Sequence, residues 1–389
     1  SNKRLLFIIT FRCYLNMRSI PATKPTFNED DIKYITSKFK DILKGKSFLS
    51  QYKFSEEFEN NFASYIGTKY AVSCNSGTSA LELIFRGLKI KGKEVILPSN
   101  TFIATANAII NAGGIPVFAD CDDTMCLSYD DAISKINSKT IAVCHVHIGG
   151  IVSKSSIKLA KYCKEKSIYF VEDSAQGHGT RLANKNAGAL GTAAGFSFFS
   201  TKVMTTGEGG IVTTNDKSLW KKMKSIREFG KEKKGILTNY HTDMGYNWRM
   251  PEVAALMGIK QLESIENFIS KRTEIAKIYD KFLLDNDKIT VVTPPKNSRY
   301  NYFKYSLILE NANRETIHKK MESRGIQLSG YVYEIPLHKQ PVFPEYNKLS
   351  LKNTERVCSK HICLPIYPNL EIIDAEYISN SLVKILKES

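Results

Sequence analysis

Two hydrophobic patterns alternate along most of this chain. Short apolar runs, typical of buried strands, are separated by stretches in which apolar residues recur at helical spacing. Such alternation is typical of an α/β architecture with a mainly parallel sheet, whose ligands bind at the carboxyl ends of the strands. The predicted strands are 70–73, 95–97, 115–119, 140–146, 168–172, 194–199 and 210–214, and the predicted helices between them are 78–88, 102–112, 153–166 and 216–229.

Helix start and stop signals frame this region. Asn28 is a good N-cap for a first helix that ends at Gly45, and a second helix over about 54–66 ends at Gly67. Near residue 250 the pattern changes. A long helix over 251–284 is expected there, followed by the turn at Pro294-Pro295, a strand over 305–309 and a helix over 314–324.

We therefore place a domain boundary near 245–255. The prediction is an extension over 1–19, a large domain over 20–250 and a smaller α+β domain over 251–389. The first residues resemble the start of a signal peptide, but Arg12-Cys13 interrupts a short apolar stretch. We expect 1–16 to be a ragged extension, with Met17 as a plausible start, and we expect no membrane span.

The formal net charge of +16 raises the question of a nucleic-acid partner. The excess is mostly lysine spread along the whole chain, without a dense basic tract or a DNA-binding motif, so no nucleic-acid partner is expected. The eight cysteines form no CxxC pair and several lie in apolar runs. That usage favours reduced, buried thiols in a cytoplasmic protein over a disulfide framework or a metal site.

Lys202 is the first candidate for chemistry. It has no charged neighbour until Glu208, and aromatic, hydroxyl and glycine residues surround it. A lysine in a dry, hydroxyl-lined turn can have its amine pKa lowered and act as a nucleophile toward carbonyls, as Schiff-base chemistry requires. Taken alone, Lys202 is better explained as a surface lysine at a strand end, and the segments upstream reverse that interpretation.

Asp173 ends the apolar strand that lies 29 residues before Lys202. A carboxylate there can keep a pyridinium nitrogen protonated, so that the ring accepts electrons from a substrate carbanion. The alternative is a cap of the next turn.

Residues 75–80 (NSGTSA) lie between a predicted strand and helix. Small residues with free N–H groups and hydroxyls at a helix N-terminus suit a phosphate. Ser197 and Thr201 can add hydroxyl groups to such a site. Phe102 can stack on a flat ring, or serve only in core packing.

Six segments in this order and spacing resemble the DegT/StrS-type nucleotide-sugar aminotransferases, which are pyridoxal-phosphate enzymes of the aspartate-aminotransferase fold (fold type I). The resemblance covers about 20–385 and ends with LPIYP at 364–368. The segments are NSGTSAL at 75–81, TFIAT at 101–105, VEDSAQGHG at 171–179, FSFFSTK at 196–202, GEGG at 207–210 and GYNWR at 245–249.

The resemblance implies a role for each matching residue. Lys202 is expected to form the internal aldimine, Asp173 to pair with the pyridine nitrogen, and Gln176 to lie beside the phenolic oxygen. The expected phosphate and ring contacts are Gly77, Thr78, Ser197 and Phe102.

It also implies an obligate homodimer with shared active sites, in which Asn247 completes the phosphate site of the partner. His178, His338 and Tyr331 match positions near the sugar. Three segments depart from the family pattern: 50–53 lacks a Gly-Pro, 146–150 an aromatic residue and 331–336 a histidine. All three are expected to face the substrate.

The predicted activity is a ping-pong transamination in amino-sugar and polysaccharide biosynthesis. L-glutamate donates the amino group, Lys202 moves a proton as base and then acid, and a nucleoside-diphosphate ketosugar accepts the amine. Alternatives are a same-fold aminotransferase of cyclitols or amino-ring precursors, and a cofactor-binding, non-catalytic regulator. A same-fold dehydratase is a further alternative, but such enzymes carry histidine in place of Lys202.

Overall fold

The computed structural model describes residues 19–388, so the expectation for the first 16 residues lies outside it. Its strands are β1 (Tyr70–Cys74), β2 (Glu94–Pro98), β3 (Ile115–Ala119), β4 (Thr140–Val146), β5 (Tyr169–Asp173), β6 (Arg181–Leu182), β7 (Lys185–Asn186), β8 (Ala193–Ser197), β9 (Gly210–Thr214), β10 (Ile289–Val291), β11 (Ser298–Arg299), β12 (Tyr305–Leu309) and β13 (His361–Leu364).

The same residues also form α-helices. They are α1 (Glu29–Asp41), α2 (Lys53–Ile66), α3 (Gly77–Gly87), α4 (Ile103–Asn111), α5 (Tyr129–Ser134), α6 (Lys154–Glu165), α7 (Lys217–Arg227), α8 (Glu252–Leu283), α9 (Arg314–Glu322), α10 (Lys352–Lys360) and α11 (Ile372–Lys387). Of these helices, α5, α10 and α11 were not predicted.

Seven strands form the central sheet, in the order β1-β9-β8-β5-β4-β2-β3. The pairs β2–β3, β2–β4, β4–β5 and β5–β8 are parallel, whereas β9 runs antiparallel to β1 and β8. The carboxyl ends of β2, β4, β5 and β8 therefore meet at one edge, where ligands bind in open α/β sheets.

Helix ends follow the chemistry of their terminal residues. The Asn28 side chain accepts the backbone N–H of Asp31, whose carboxylate accepts the N–H of Asn28, so α1 begins with a full capping box. Gly67 adopts φ +85° at the end of α2, a left-handed conformation that favours glycine. Helix α5 has no counterpart in the prediction because it is six residues long and buries only Ala132.

The C-terminal part is built on an antiparallel sheet in the order β10-β12-β13. Residues of α8, α9 and α11 form one hydrophobic cluster with it. Within α8, Ile259 and Ile265 pack in a cluster with the central sheet, whereas Tyr279 and Leu283 belong to the C-terminal cluster. We therefore propose that the two parts meet inside α8, rather than ahead of it.

Two properties of the described residues bear on the environment of the protein. All seven cysteines among them are buried and free. Between residues 19 and 388, no helix combines the length and the apolar character that a membrane span requires.

Candidate active site

A cavity of about 530 Å³ opens at the carboxyl ends of the parallel strands. Its wall includes residues from the loops after β2, β5 and β8 and from the start of α3. Nine candidate residues from the sequence line it, namely Gly77, Thr78, Phe102, Asp173, Gln176, Ser197, Thr201, Lys202 and Tyr331. Residues far apart in the chain therefore share one chamber.

One end of the cavity is the N-terminus of α3. The Ser76 hydroxyl caps this helix by accepting the backbone N–H of Ser79 at 3.1 Å. The N–H groups of Gly77 and Thr78 have no intrahelical partner at this position. A Cβ added at Gly77 would lie 2.6 Å from Cβ of Ser197, so only glycine lets the helix approach β8 this closely. The result is a compact site for an anion.

An aromatic wall lies beside this anion site. The Phe102 side chain is 56% exposed although it lines the cavity. Its ring centroid lies 5.8 Å from that of Tyr333, and the two planes are inclined by 32°. Phe102 is thus available as a surface for a flat ring, rather than buried in the core.

Asp173, the last residue of β5, is the buried carboxylate of the cavity, at 6% exposure. Its Oδ2 accepts the Thr105 hydroxyl at 2.7 Å, and its Oδ1 accepts the backbone N–H of Ala175 at 3.1 Å. Burial raises the pKa of this carboxyl group, and the two hydrogen bonds counteract that effect. A cationic ligand group would stabilise its ionised form.

The neighbouring Glu172 has a different role because successive side chains of a strand point to opposite faces. Its carboxylate faces His147 Nε2 at 2.9 Å and accepts the backbone N–H groups of Gly188 and Leu190, each at 2.8 Å. Glu172 thereby fixes the loop between β5 and β8, and Asp173 alone of the pair faces the cavity.

Lys202 follows β8 in a turn that its backbone N–H closes by donating to the carbonyl of Phe199 at 2.9 Å. Its ammonium group lies 5.0 Å from the ring centroid of Phe303. Burial lowers the Lys202 pKa to about 8, with the Asp173 charge opposing the shift and the Lys304 charge adding to it. A lysine with such a pKa holds a useful fraction of free amine near neutral pH.

Gln176 is fixed at the cavity wall by contacts at both ends of its amide. The side-chain oxygen accepts the backbone N–H of Gly149 at 2.7 Å. The amide nitrogen donates to the Tyr333 hydroxyl at 3.2 Å.

The geometry is that of a chamber with a nucleophilic lysine, a buried carboxylate, an aromatic surface and an anion site. The model of the DegT/DnrJ/EryC1/StrS aminotransferase family matches residues 29–383 of this chain. The chain belongs to this family.

Relatives of this aminotransferase resemble it over nearly their whole length. GDP-perosamine synthase of Escherichia coli O157:H7 is 32% identical over 371 residues, which cover 94% of this chain and 98% of that protein. The UDP-4-amino-4,6-dideoxy-N-acetyl-beta-L-altrosamine transaminase of Helicobacter pylori is 30% identical over 376 residues, covering 95% and 98%.

Among solved structures, Helicobacter pylori PseC, an aminotransferase involved in the biosynthesis of pseudoaminic acid, superimposes with a TM-score of 0.89. The match is 28% identical in sequence and covers 96% of this chain and 100% of PseC. The predicted family, the α/β transferase fold with its mostly parallel sheet, and the transaminase class are confirmed. Membership of this family implies pyridoxal phosphate as cofactor.

Two predicted sugar contacts of the aminotransferase lie outside the cavity wall. The His178 ring packs 5.4 Å from the ring of Phe196 and 5.6 Å from that of Phe198, and burial lowers its pKa to about 3. His338 Nδ1 lies 2.7 Å from the Ser99 hydroxyl, and its Nε2 lies 3.0 Å from the Glu355 carboxylate. Neither imidazole therefore lines the cavity of this chain, and their contact with the sugar stays a prediction.

Asn247 also lies outside the cavity of its own chain, on an exposed segment. Its neighbours Tyr246 and Trp248 stack with ring centroids 4.0 Å apart, whereas Asn247 itself is exposed. The carbonyl of Trp248 accepts the N–H of Asn75, which ties this segment to the loop before α3.

Thr105, Phe303 and Lys304 are among the residues of the site that were not predicted from the sequence. Thr105 lies in the recognised segment 101–105, where a hydroxyl one helical turn after Thr101 was a usable signal. Phe303 and Lys304 reach the cavity from the C-terminal part of the chain, and no local pattern marks them. Tyr333 also lines the cavity, and it lies in the segment 331–336 that was expected to face the substrate.

Proposed function

We propose that this aminotransferase moves an amino group from an amino acid, with L-glutamate as donor, to a keto-deoxysugar carried on a nucleoside diphosphate. The observation that carries the proposal is the presence of Lys202 and Asp173 in one cavity with the anion site at Gly77. The names of the two relatives, which act on GDP- and UDP-linked sugars, support the acceptor class.

The cavity fits pyridoxal phosphate. The phosphate would lie at Gly77, Thr78 and Ser197, where a Cβ on Gly77 would fill the space against Ser197. Asp173 would hold the ring nitrogen, Phe102 would cover one ring face, and Gln176 would lie at the phenolic oxygen. When bound, this cofactor serves as an electron sink for charge released at the substrate α-carbon.

Lys202 would be both the attachment point of the cofactor and the proton carrier. With a pKa of about 8, its Nζ can take a proton from the α-carbon of the amino acid and then donate that proton to another carbon of the bound cofactor and substrate. The Phe303 ring beside Nζ limits the directions from which water reaches the amine.

Asp173 would keep a proton on the ring nitrogen. Its own pKa is raised by burial, so a cationic partner is needed to favour its ionised form. Thr105 and Ala175 orient the two carboxylate oxygens through their hydrogen bonds. Tyr331 lines the cavity and remains a proposed substrate contact.

The working form proposed is a cytoplasmic homodimer in which Asn247 reaches the partner's phosphate site. Large apolar residues in the segment that precedes Asn247 are exposed in the single chain, including Ile236 at 96% and Met244 at 90%. A second copy of the chain would cover them. Buried free cysteines support a reducing compartment.

The proposed function is tested with enzyme converted to its pyridoxamine form by L-glutamate. Ketosugars linked to GDP, UDP and dTDP, and a cyclitol ketone, are then added singly. The visible absorbance of the lysine-bound cofactor is followed after each addition. Return of that absorbance with one nucleotide ketosugar, together with an aminated product, is the expected result. Return only with a cyclitol ketone, or with no ketone in the panel, would contradict the proposal.

A further inference from the structure

A second lysine, Lys304, lines the cavity close to Lys202. It precedes β12, and its backbone is held from two sides. Its N–H donates to the carbonyl of Gly149 at 3.3 Å, and its carbonyl accepts the Tyr300 hydroxyl at 2.7 Å. The side chain is therefore presented from a fixed position on the C-terminal part of the chain.

The Lys304 ammonium group lies 5.2 Å from the ring centroid of Phe303, the same ring that Lys202 approaches to 5.0 Å. The two lysines thus share one aromatic side chain. A ligand bound by Lys304 therefore lies in the same cavity as the groups that react at Lys202.

The polar partner of the Lys304 Nζ is the Ser329 hydroxyl. No carboxylate of residues 19–388 forms an ion pair with it, and burial lowers its pKa. An ammonium group has three N–H donors, so two remain for a ligand. A partly buried cation without a counterion is costly, and an anionic ligand group would remove that cost.

We propose that Lys304 binds a carboxylate of the amino-acid donor. The inference rests on the proposed transamination and names a contact within the same site. In an amino acid the α-carboxylate is one bond from the carbon at which Lys202 acts. In the ketosugar the reacting ring is neutral, and its diphosphate lies beyond the sugar. The cofactor phosphate has its own site at Gly77.

The two half-reactions separate this contact from other roles. In Lys304→Met, the second-order rate constant of the half-reaction with L-glutamate is expected to fall on the order of 100-fold, because a charge-assisted contact is lost. The rate of the second half-reaction, with the ketosugar, is expected to stay within about threefold. Lys304→Arg should recover much of the donor step, and Lys304→Gln should behave like the methionine variant.

A binding measurement independent of turnover uses glutarate, a dicarboxylate that has no amino group. Its dissociation constant, from the spectral change of the cofactor-loaded enzyme, should rise on the order of tenfold or more in both neutral variants. The control is Lys277→Met, which removes an exposed lysine of α8 and should change neither half-reaction nor glutarate binding.

Comparing L-alanine with L-glutamate identifies the carboxylate. An equal loss for both donors assigns Lys304 to the α-carboxylate, and a loss for L-glutamate alone assigns it to the side-chain carboxylate. The proposal is overturned if both half-reactions fall equally while glutarate binding is unchanged, or if only the ketosugar step falls. If the wild-type enzyme reacts with L-glutamate but with no nucleotide ketosugar, the proposed function fails and the Lys304 contact stands.

Discussion

Gly77 and Ser197 lie so close that a Cβ on Gly77 would approach Cβ of Ser197 to 2.6 Å. The contact joins the first turn of α3 to the end of β8. It fixes the distance between the free N–H groups of the helix and the hydroxyl of the strand. The proposed phosphate site therefore depends on one glycine.

Gly77→Ala is expected to weaken cofactor binding on the order of tenfold, since overpacking costs about 1–3 kcal/mol and about 1.4 kcal/mol is a factor of ten. Fluorescence titration of the apoenzyme with pyridoxal phosphate measures the effect. Gly330→Ala is the matched control, because Gly330 lines the same cavity and a Cβ there meets no atom within 4 Å. Equal affinities of the two variants for pyridoxal phosphate would show that Gly77 is not part of the phosphate site.

Asp173→Asn is expected to lower kcat by about 10²–10³, as loss of one preorganised electrostatic contact does. Stability should respond differently. Because burial raises the pKa of this carboxyl group in the folded state, its ionised form opposes folding above that pKa, and a neutral amide of the same shape removes the effect. The thermal midpoint of the apoenzyme at pH 7 should be unchanged or higher. A clear fall in that midpoint would mean that Asp173 serves mainly to hold the fold.

Thr105→Val removes the hydroxyl that donates to Asp173 Oδ2. That hydrogen bond lowers the pKa of Asp173, so its loss should raise the pKa and destabilise the ionised carboxylate. The kcat should fall by less than in Asp173→Asn and recover in part as the pH rises. A pH profile of kcat identical to that of the wild type would show that Thr105 does not act through Asp173.

The Lys202 pKa predicts the pH dependence of cofactor capture by the apoenzyme. Only the free amine attacks the aldehyde, so the rate constant should rise with pH and level off above about 8. A lysine in a model peptide, with a pKa near ~10.4, is the reference reaction. Lys304→Met should move the midpoint upward because a positive neighbour is lost. A wild-type midpoint near that of the peptide would contradict the burial of the amine.

Mixed dimers test the shared site. Neither Lys202→Ala nor Asn247→Ala homodimers should transaminate well. A dimer with one variant of each kind has one intact site if Asn247 serves the partner, and none if it serves its own chain. Co-expression with two affinity tags isolates this species, and activity well above both parents is expected. Activity no higher than either parent would contradict the shared site.

The central sheet could be predicted because buried strands read as apolar runs bounded by turn residues. Strand β3 coincides with its predicted range, and β4 does so as well. Helix α5 was not predicted, since six residues with one buried side chain leave no periodicity to detect. Local patterns therefore specify most of the large sheet.

The residues of the site likewise include some that local patterns predict and some that they do not. Lys202, Asp173 and Gly77 lie at strand or helix ends, where a short segment fixes both conformation and direction. The position of His178 could not be read that way, because its ring turns into the core beside Phe196. Lys304 comes to the cavity through packing of the C-terminal part of the chain, which short segments do not encode.

Identification of the lysine that carries the cofactor is the most direct test of the central claim. The holoenzyme is reduced with borohydride, digested and analysed by mass spectrometry. The pyridoxyl group should be found on Lys202 alone, and L-glutamate added before reduction should remove it. A label on Lys304 or on another lysine, with Lys202 unmodified, would contradict the account.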